Sequence, residues 1–191
     1  MTDKFHTEPG VEYVVLVDEQ NQVLGLTPKA TVHGVNTPLH RAFSAFIFNS
    51  KGKLLLQQRA MSKKTWPGIW SNSCCGHPTL EETNIEAADR RLKFELGLDV
   101  PGLVEIAPYR YCFSRFGVME NEICPIVVGF SNSLPQPNSD EVESFKYIDW
   151  QDFLTDIKTN PQNWSEWCVE EAQILEQNQQ FNSLYNQFTN V

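Results

Sequence analysis

The stretch "TNIEAADRRLKFELG", residues 83–97, carries the signals of a complete helix. Four apolar side chains recur along it at helical spacing: Ile85, Ala88, Leu92 and Leu96. Thr83 and Glu86 have the spacing of a capping box, and Gly97 stands where glycine commonly closes a helix. We therefore predict a helix over residues 83–97, with the rest of the fold arranged around it.

Apolar runs on both sides of this helix predict a sheet. Bounded by turn-forming residues, they predict strands at 11–17, 42–49, 54–59, 103–113, 120–130 and 143–149. The turn "SKGK", residues 50–53, joins two of these strands as a hairpin, and "LTPKA", residues 26–30, is predicted to be a loop. A second helix is predicted from Trp164, and the polar tail after it either extends this helix or frays. The order of elements predicts an α+β domain.

The bulk composition limits the function. The chain has 191 residues, of which 41% are hydrophobic, and its formal net charge is −9. This length is sufficient for one sizeable core. The negative charge argues against nonspecific nucleic-acid binding, and an anionic substrate would need a local basic pocket. Apolar runs are too short to span a membrane. From the charge and the short apolar runs together, we expect neither nucleic acid nor a membrane as a partner.

Cysteine usage indicates a reducing compartment. The five cysteines show no repeating spacing, which argues against a disulfide framework. The first twenty residues carry charges, among them Asp3, Lys4 and Glu12, in place of the apolar run of a secretory signal. We therefore expect a cytoplasmic protein. The sequence leaves its oligomeric state open, with a monomer favoured.

The turn "SNSCCGHP", residues 71–78, places two cysteines beside a histidine without a Cys-x-x-Cys pattern. Other metal-capable side chains are His33, His40, Glu120 and Glu122. The two glutamates are two residues apart on a predicted strand, so they face the same side. Each of these residues alone is typical of an ordinary surface or core position. Together with His77 they form a possible five-donor metal site.

Two family resemblances emerge from the same segments. From Gly76 to Leu98 the spacing of Glu82, Arg90 and Glu95 resembles a Nudix box, but Arg91 and Phe94 replace two of its metal-binding glutamates. A degenerate box implies a shared fold with altered chemistry. The segments "TWPGIWSNSCCGHP", "ENEICP" and "RRLKFELG" are similar to those of type I isopentenyl-diphosphate isomerases, which share the Nudix fold. This resemblance runs from about residue 12 to residue 168.

The resemblance implies a single Nudix-like domain over residues 1–191, a mixed β-sheet core flanked by helices. Its core is expected at about 42–176, preceded by a strand and metal-ligand loop at 1–41 and followed by a polar tail at 177–191. It implies a metal site holding Mn2+, Zn2+ or Mg2+ on His33, His40, His77, Glu120 and Glu122. It also implies a Mg2+ on Glu95 that helps to bind the substrate diphosphate. The implied phosphate-binding cations are Lys29, Arg59, Lys63 and Arg91.

The implied activity is the interconversion of two small allylic and homoallylic diphosphates by moving a carbon–carbon double bond. A proton is added to the alkene and another is removed from the opposite face, which requires two proton-transfer groups. The resemblance assigns these roles to Cys75 and Glu122, with Tyr111 near the carboxylate. Cys74 is then a structural neighbour. Trp167 is implied to stabilise the cationic intermediate with its indole face.

Three rival interpretations remain at this level. A Nudix hydrolase of another diphosphate is the nearest, although Arg91 and Phe94 count against it. A non-enzymatic domain with a structural metal and inert thiols is the second. A redox thiol protein is the weakest, because adjacent cysteines form strained disulfides.

Overall fold

The structure, a computed structural model, describes residues 5–189 and confirms the α+β class. The first four residues of the predicted N-terminal segment and the last two of the predicted tail lie outside the described residues. The helices are α1 (Lys29–Val32), α2 (Asn84–Leu96), α3 (Trp150–Thr159), α4 (Glu166–Gln177) and α5 (Gln179–Thr189). A 3-10 turn, Pro161–Asn163, precedes α4.

The strands form two sheets. The five-stranded sheet has the order β2 (Val23–Pro28), β1 (Tyr13–Val17), β3 (His40–Arg41), β10 (Val118–Ile123) and β9 (Arg110–Arg115). The seven-stranded sheet has the order β12 (Val142–Asp149), β5 (Lys53–Arg59), β4 (Phe43–Phe48), β11 (Ile126–Phe130) and β8 (Val104–Ala107). Two short strands extend it, with β6 (Trp70–Ser71) paired to β5 and β7 (Cys74–Gly76) paired to β4.

The predictions of single strands at 103–113 and 120–130 were wrong, because each run is two strands in different sheets. Pro108 and Pro125 lie at the breaks, and proline cannot donate a ladder hydrogen bond. At the breaks the chain passes from one sheet to the other. The chain crosses between the two sheets at a third place, directly after β3. Backbone hydrogen bonds join the three crossings: the Ala42 N–H donates to the carbonyl of Ile123, and the Cys124 N–H donates to the carbonyl of Tyr109.

The segment 26–30 was predicted to be a loop, which was also wrong. Residues up to Pro28 complete β2, whose backbone pairs with β1, and α1 begins immediately afterwards. Helix α3 was not predicted, although Asp149 caps it and apolar residues recur at helical spacing. Those residues are Trp150, Phe153, Leu154 and Ile157, and all four are buried.

The predicted helix was confirmed as α2, with both of its predicted ends. Thr83 and Glu86 form the reciprocal capping box, and Gly97 adopts the left-handed conformation at φ 61°. Ile85, however, is exposed, because the buried face is centred on Ala88, Leu92 and Leu96. This face packs on the seven-stranded sheet, and it also carries two buried charged residues that belong to the candidate site.

Most of the predicted polar tail is the helix α5, which Asn178 separates from α4. Phe181 is fully buried, and its ring lies 5.4 Å from that of Phe48 and 5.5 Å from that of Trp150. Tyr185 donates a hydrogen bond to the carbonyl of Gly52 in the β4–β5 turn. This helix therefore closes one end of the main core. Among the described residues, every helix is too short or too polar to cross a bilayer.

We expect Phe181→Ala to lower the free energy of unfolding by about 3–5 kcal/mol, because it leaves a cavity among packed aromatic rings. Chemical denaturation of the purified variant measures this. Gln180→Ala, at an exposed position on the same helix, serves as the control and should change stability by less than about 0.5 kcal/mol. Equal stability of the two variants would show that α5 does not contribute to the core.

Candidate active site

A cavity of about 590 Å³ is lined by residues of both sheets. Its walls include all the site residues predicted from the sequence except His40, which is fully buried behind Glu122. The fold thus gathers side chains from segments as distant as Lys29 and Trp167 around one space.

Strand β10 supplies the acidic wall of this cavity. Glu120 and Glu122 point to the same side, as the alternation of strand residues requires, and they are 5% and 4% exposed. The parallel pairing of β10 with β3 places Glu122 directly opposite His40. On the other side of β10, antiparallel pairing with β9 places Glu122 opposite Tyr111.

Three histidines converge on these carboxylates. Candidate ligand atoms of His33, His40, His77 and Glu122 all lie within 4.8 Å of one another. Oε1 of Glu122 lies 3.0 Å from Nε2 of His77 and 3.2 Å from Nε2 of His40. Glu120, the fifth predicted ligand, lies beside this group with Oε2 2.9 Å from Nε2 of His33. The structure therefore brings four of the five predicted ligands into one group and the fifth into contact with it.

The hydrogen bonding of this group fits a metal site. Although these atoms lie close together, Nε2 of His33, Nε2 of His40 and Oε2 of Glu120 are buried and their contacts lack the geometry of hydrogen bonds, which is unusual for buried polar atoms. Nδ1 of His40 lies 2.9 Å from the carbonyl of Pro38, which only accepts, so Nδ1 carries the proton and Nε2 presents a lone pair to the site. Imidazoles with carboxylates are a donor set suited to divalent transition metals.

The protonation of the cluster supports the same interpretation. Burial acts to raise the pKa of Glu122, but His40 and His77 beside it lower this pKa well below the usual value. Burial lowers the pKa of His77 to about 4. Burial also acts to lower the pKa of His40, but the Glu122 carboxylate raises it above the ordinary histidine value. Glu122 and His77 are therefore unprotonated near neutral pH, as ligands must be.

The two adjacent cysteines face opposite sides of β7. Cys74 is fully buried and packs with the core beneath α2, whereas Cys75 is half-buried and lines the cavity. Sγ of Cys75 lies 3.2 Å from Oδ1 of Asn72 and 3.4 Å from Oγ of Ser44. Burial, and next the nearby Glu171, raise the pKa of Cys75 to about 12, so this thiol keeps its proton at neutral pH.

Two aromatic residues complete this part of the cavity. Tyr111 donates a hydrogen bond of 2.6 Å from its hydroxyl to Oε2 of Glu122, so the two oxygens of that carboxylate have different partners. The Tyr111 ring stacks on Trp167, with centroids 5.6 Å apart and planes 20° apart. Trp66 packs edge-on against the same indole at 5.1 Å. The wall beside the thiol and carboxylate is therefore aromatic and largely apolar.

The predicted phosphate-binding cations line the same cavity. Lys29 pairs with Glu12 at 2.8 Å, and Lys63 pairs with Glu141. Arg91 lies 2.5 Å from Glu95 one helical turn away and 3.2 Å from Glu141. Arg59 donates to the backbone carbonyl and the hydroxyl of Thr65.

Glu95, the predicted Mg2+ ligand, is 4% exposed. Oε2 of Glu95 accepts from Nε2 of Gln57 at 3.3 Å, and Oε1 of Gln57 is buried without a partner. The two side chains supply oxygen donors of the kind that Mg2+ prefers. Residues 57 and 95 therefore place two oxygen donors beside the phosphate-binding cations, while Oε1 of Glu95 is paired with Arg91.

Sequence reasoning missed several residues of the site. Glu12 and Glu141 contact the cations through the pairing of distant segments, for which the sequence carries no local signal. Asn72 stands within the turn that drew attention to Cys75. Glu171 is fully buried on α4 four residues after Trp167, a spacing that indicates the same helix face. Both carboxyl oxygens of Glu171 are buried without a hydrogen-bond partner, and burial raises its pKa well above the usual value.

The fold and the site residues define a Nudix-class protein with a histidine and carboxylate centre. The family model of the NUDIX domain matches residues 38–168. Within this class the chain belongs to the isopentenyl-diphosphate Delta-isomerase family. The protein of that name from Saccharopolyspora erythraea is 46% identical over 169 residues, covering 87% of each chain. The protein of that name from Klebsiella pneumoniae (strain 342) is 42% identical over 164 residues, covering 85% of this chain and 89% of the relative.

Solved structures agree on the fold. A Deinococcus radiodurans protein gives a TM-score of 0.66 at 22% identity, covering 85% of this chain and 98% of that one. The MutT protein from Methanosarcina mazei Go1 gives a TM-score of 0.56 at 17% identity, covering 74% of this chain and 97% of that one.

At the two substituted positions of the Nudix box, the guanidinium of Arg91 lies 4.9 Å from the ring of Phe94, which is 53% exposed. Neither side chain is a metal ligand.

We expect purified wild-type protein to carry a divalent metal and His40→Ala to lose it, because the variant removes a ligand fixed by its backbone contact. Elemental analysis by mass spectrometry measures the metal content. His6→Ala, at an exposed position, is the matched control and should retain the metal. Lowering the pH should also release the metal, since protonation of His40 removes its lone pair. Full metal content in folded His40→Ala protein would contradict this assignment.

Glu171→Gln should stabilise the protein increasingly as the pH rises. The folded protein keeps the Glu171 proton, whereas the unfolded chain loses it above the ordinary glutamate pKa of about 4.3, so Glu171 lowers stability above that pH. The melting temperature of the variant should therefore match that of wild type near pH 4 and exceed it near pH 8. Glu143→Gln, at an exposed position, controls for the loss of charge alone. A difference that is the same at all pH values would exclude a raised pKa at Glu171.

Proposed function

We propose that the protein interconverts isopentenyl diphosphate and dimethylallyl diphosphate by proton addition and removal. One observation carries this proposal: Cys75 and Glu122 line one cavity together with the cations suited to a diphosphate. The names of the relatives in two bacterial genera support the same reaction. A Nudix hydrolase is not favoured, because Arg91 and Phe94 replace two acids of the Nudix box.

The diphosphate would bind at the four cations that line the cavity, which together form the cation cluster. Lys29, Arg59, Lys63 and Arg91 supply positive charge, and arginine can form paired hydrogen bonds to phosphate oxygens. Glu95 and Gln57 would hold Mg2+, which neutralises phosphate charge when bound. Substrate phosphates would take the place of Glu12 and Glu141 at these cations. This end of the cavity thus fixes the substrate by its charged group.

The alkene would then lie between the thiol and the carboxylate. In one direction, one of Cys75 and Glu122 gives a proton to the alkene carbon, and the other removes a proton from the carbon on the opposite side of the resulting tertiary cation. The reverse reaction exchanges their roles, so each group serves once as acid and once as base. Tyr111 orients the carboxylate through its hydroxyl and can pass a proton to it. The reaction consumes no net proton.

The aromatic wall protects the cation. The Trp167 face can stabilise a cation by about 0.5–2 kcal/mol. Trp66 and Tyr111 pack on that indole, so this part of the wall presents aromatic carbon in place of groups that hold water. Exclusion of water prevents capture of the cation as an alcohol.

We further propose one divalent metal, Mn2+, Zn2+ or Mg2+, held by His33, His40, His77, Glu120 and Glu122, in addition to the Mg2+ at Glu95. When bound, this metal would fix the Glu122 carboxyl and tune its acidity. We place the protein in the cytoplasm as a monomer. All five of its cysteines are free, which suits a reducing compartment.

Wild-type protein supplied with Mg2+ and Mn2+ should interconvert the two isomers and incorporate solvent deuterium into both. Cys75→Ala and Glu122→Gln should each reduce the rate by roughly 10²–10⁴-fold, because each removes a proton-transfer group. Nuclear magnetic resonance of the products in deuterated water measures both effects.

Cys112→Ala is the matched control, because this cysteine is exposed, and it should retain wild-type activity. Metal content is measured for every variant to separate proton transfer from metal loss. Folded, metal-loaded wild-type protein that exchanges neither isomer would refute the proposed function. Release of inorganic phosphate would favour a hydrolase.

A further inference from the structure

Asn72 is a fully buried residue between β6 and β7 whose side chain joins three parts of the fold. Its Nδ2 donates to the carbonyls of Ala45 and Cys74 at 3.1 and 3.0 Å. Its Oδ1 accepts from the Trp167 indole at 3.3 Å and from the Cys75 thiol at 3.2 Å. One amide thus contacts β4, the thiol strand β7 and helix α4.

The orientation of this amide is determined by its partners. Backbone carbonyls only accept hydrogen bonds, so the nitrogen must face Ala45 and Cys74 and uses both of its hydrogens there. The indole N–H only donates, so the oxygen must face Trp167. If the amide were flipped, its oxygen would face the carbonyl oxygens of Ala45 and Cys74, and its N–H groups would face the indole N–H of Trp167. The oxygen that faces Cys75 is therefore fixed.

A further contact ties the same amide to the start of α4. Oγ of Ser71 lies 2.8 Å from Oδ1 of Asn72 and 2.8 Å from Oγ of Ser165, the N-cap residue of α4. The Ser165 backbone N–H donates to the carbonyl of Trp70 at 2.9 Å. The helix that carries Trp167 is thus anchored to the strand and turn that lead to the thiol.

We propose that Asn72 is a positioning residue that sets the Cys75 thiol and the Trp167 indole in a fixed relation to each other. The kinetic meaning of this role rests on the proposed isomerase function. One rigid acceptor holds the group that moves a proton and the ring that faces the resulting cation. These two groups come from different elements, so their relative placement depends on the residue that bridges them. The phosphate-binding cations lie on other elements, α1, β5 and α2 among them, and one of them, Arg59, has its guanidinium 5.9 Å from the centre of the Trp167 ring.

The kinetic test compares Asn72→Ala with Ser73→Ala. Ser73 is also fully buried, and its hydroxyl donates to the carbonyl of Leu55 at 2.6 Å and accepts from the Ile47 N–H at 2.8 Å. Asn72→Ala should reduce kcat roughly 10- to 100-fold through misplacement of reacting groups. KM should change less than kcat, because Asn72 makes no hydrogen bond to any of the four phosphate-binding cations. Ser73→Ala should lose stability but retain wild-type kcat.

A second measurement does not depend on activity. The indole N–H resonance of Trp167, assigned with Trp167→Phe, should move upfield in Asn72→Ala, because the proton loses its acceptor. It should stay in place in Ser73→Ala. If Asn72→Ala does not fold, Asn72→Ser is measured in its place, since its hydroxyl is too short to bridge the same partners.

Either of two results would overturn the proposal. One is a kcat that falls equally in folded Asn72 and Ser73 variants, which would indicate a general effect of lost stability. The other is an unshifted Trp167 resonance in a folded Asn72 variant. If wild-type protein lacks isomerase activity, the proposed function fails by itself, and the resonance alone decides whether Asn72 holds the indole.

Discussion

Three segments of chain cross side by side between the five-stranded and the seven-stranded sheet, and the candidate site depends on where they cross. His40, Glu122 and Tyr111 each lie two residues from a crossing point, at Ala42, Cys124 and Tyr109. Backbone hydrogen bonds between the crossings hold the segments in register. A slip of one residue would turn each of these side chains to the opposite face. The carboxylate could then not be buried among its imidazole and phenol partners, and a buried charge without partners is costly.

This dependence explains what the sequence could and could not predict. Both caps of α2 are encoded within a few residues, so the helix was predicted to its ends. The crossings were missed because a long apolar run resembles one strand, although Pro108 and Pro125 mark the breaks. The five metal donors were predicted as a set from their residue types and spacing, whereas the roles of the other site residues came from family resemblance. The fold places all of them except His40 around one cavity. The contacts of Glu12 and Glu141 with the cations depend on tertiary pairing alone, which no local pattern encodes.

The cation cluster resolves an apparent conflict between an acidic chain and an anionic substrate. The net charge of −9 opposes an anion at long range, but charges beyond roughly 8–10 Å are largely screened at physiological salt. Within that distance Glu12 pairs with Lys29, and Glu141 pairs with Lys63 and Arg91, whereas Arg59 donates its hydrogen bonds to Thr65. The Glu12 side chain is 61% exposed, and ion pairs of such exposed groups contribute little to stability. Under the proposed function, exchange of this carboxylate for phosphate would therefore cost little folding energy.

At the thiol end of the cavity, in contrast, the contacts are buried hydrogen bonds instead of exposed ion pairs. Asn72, Ser44 and the protonated Cys75 are joined by hydrogen bonds in a buried environment, where an unmade hydrogen bond is expensive. These contacts have no solvent-exposed competitor and do not need to exchange during binding. Glu171 lies in the same region, where burial keeps it neutral and so avoids an unpaired charge. Under the proposed function, binding energy from the phosphate end would place the alkene against groups that are already fixed, and this would lower the barrier to reaction without rearrangement of the wall.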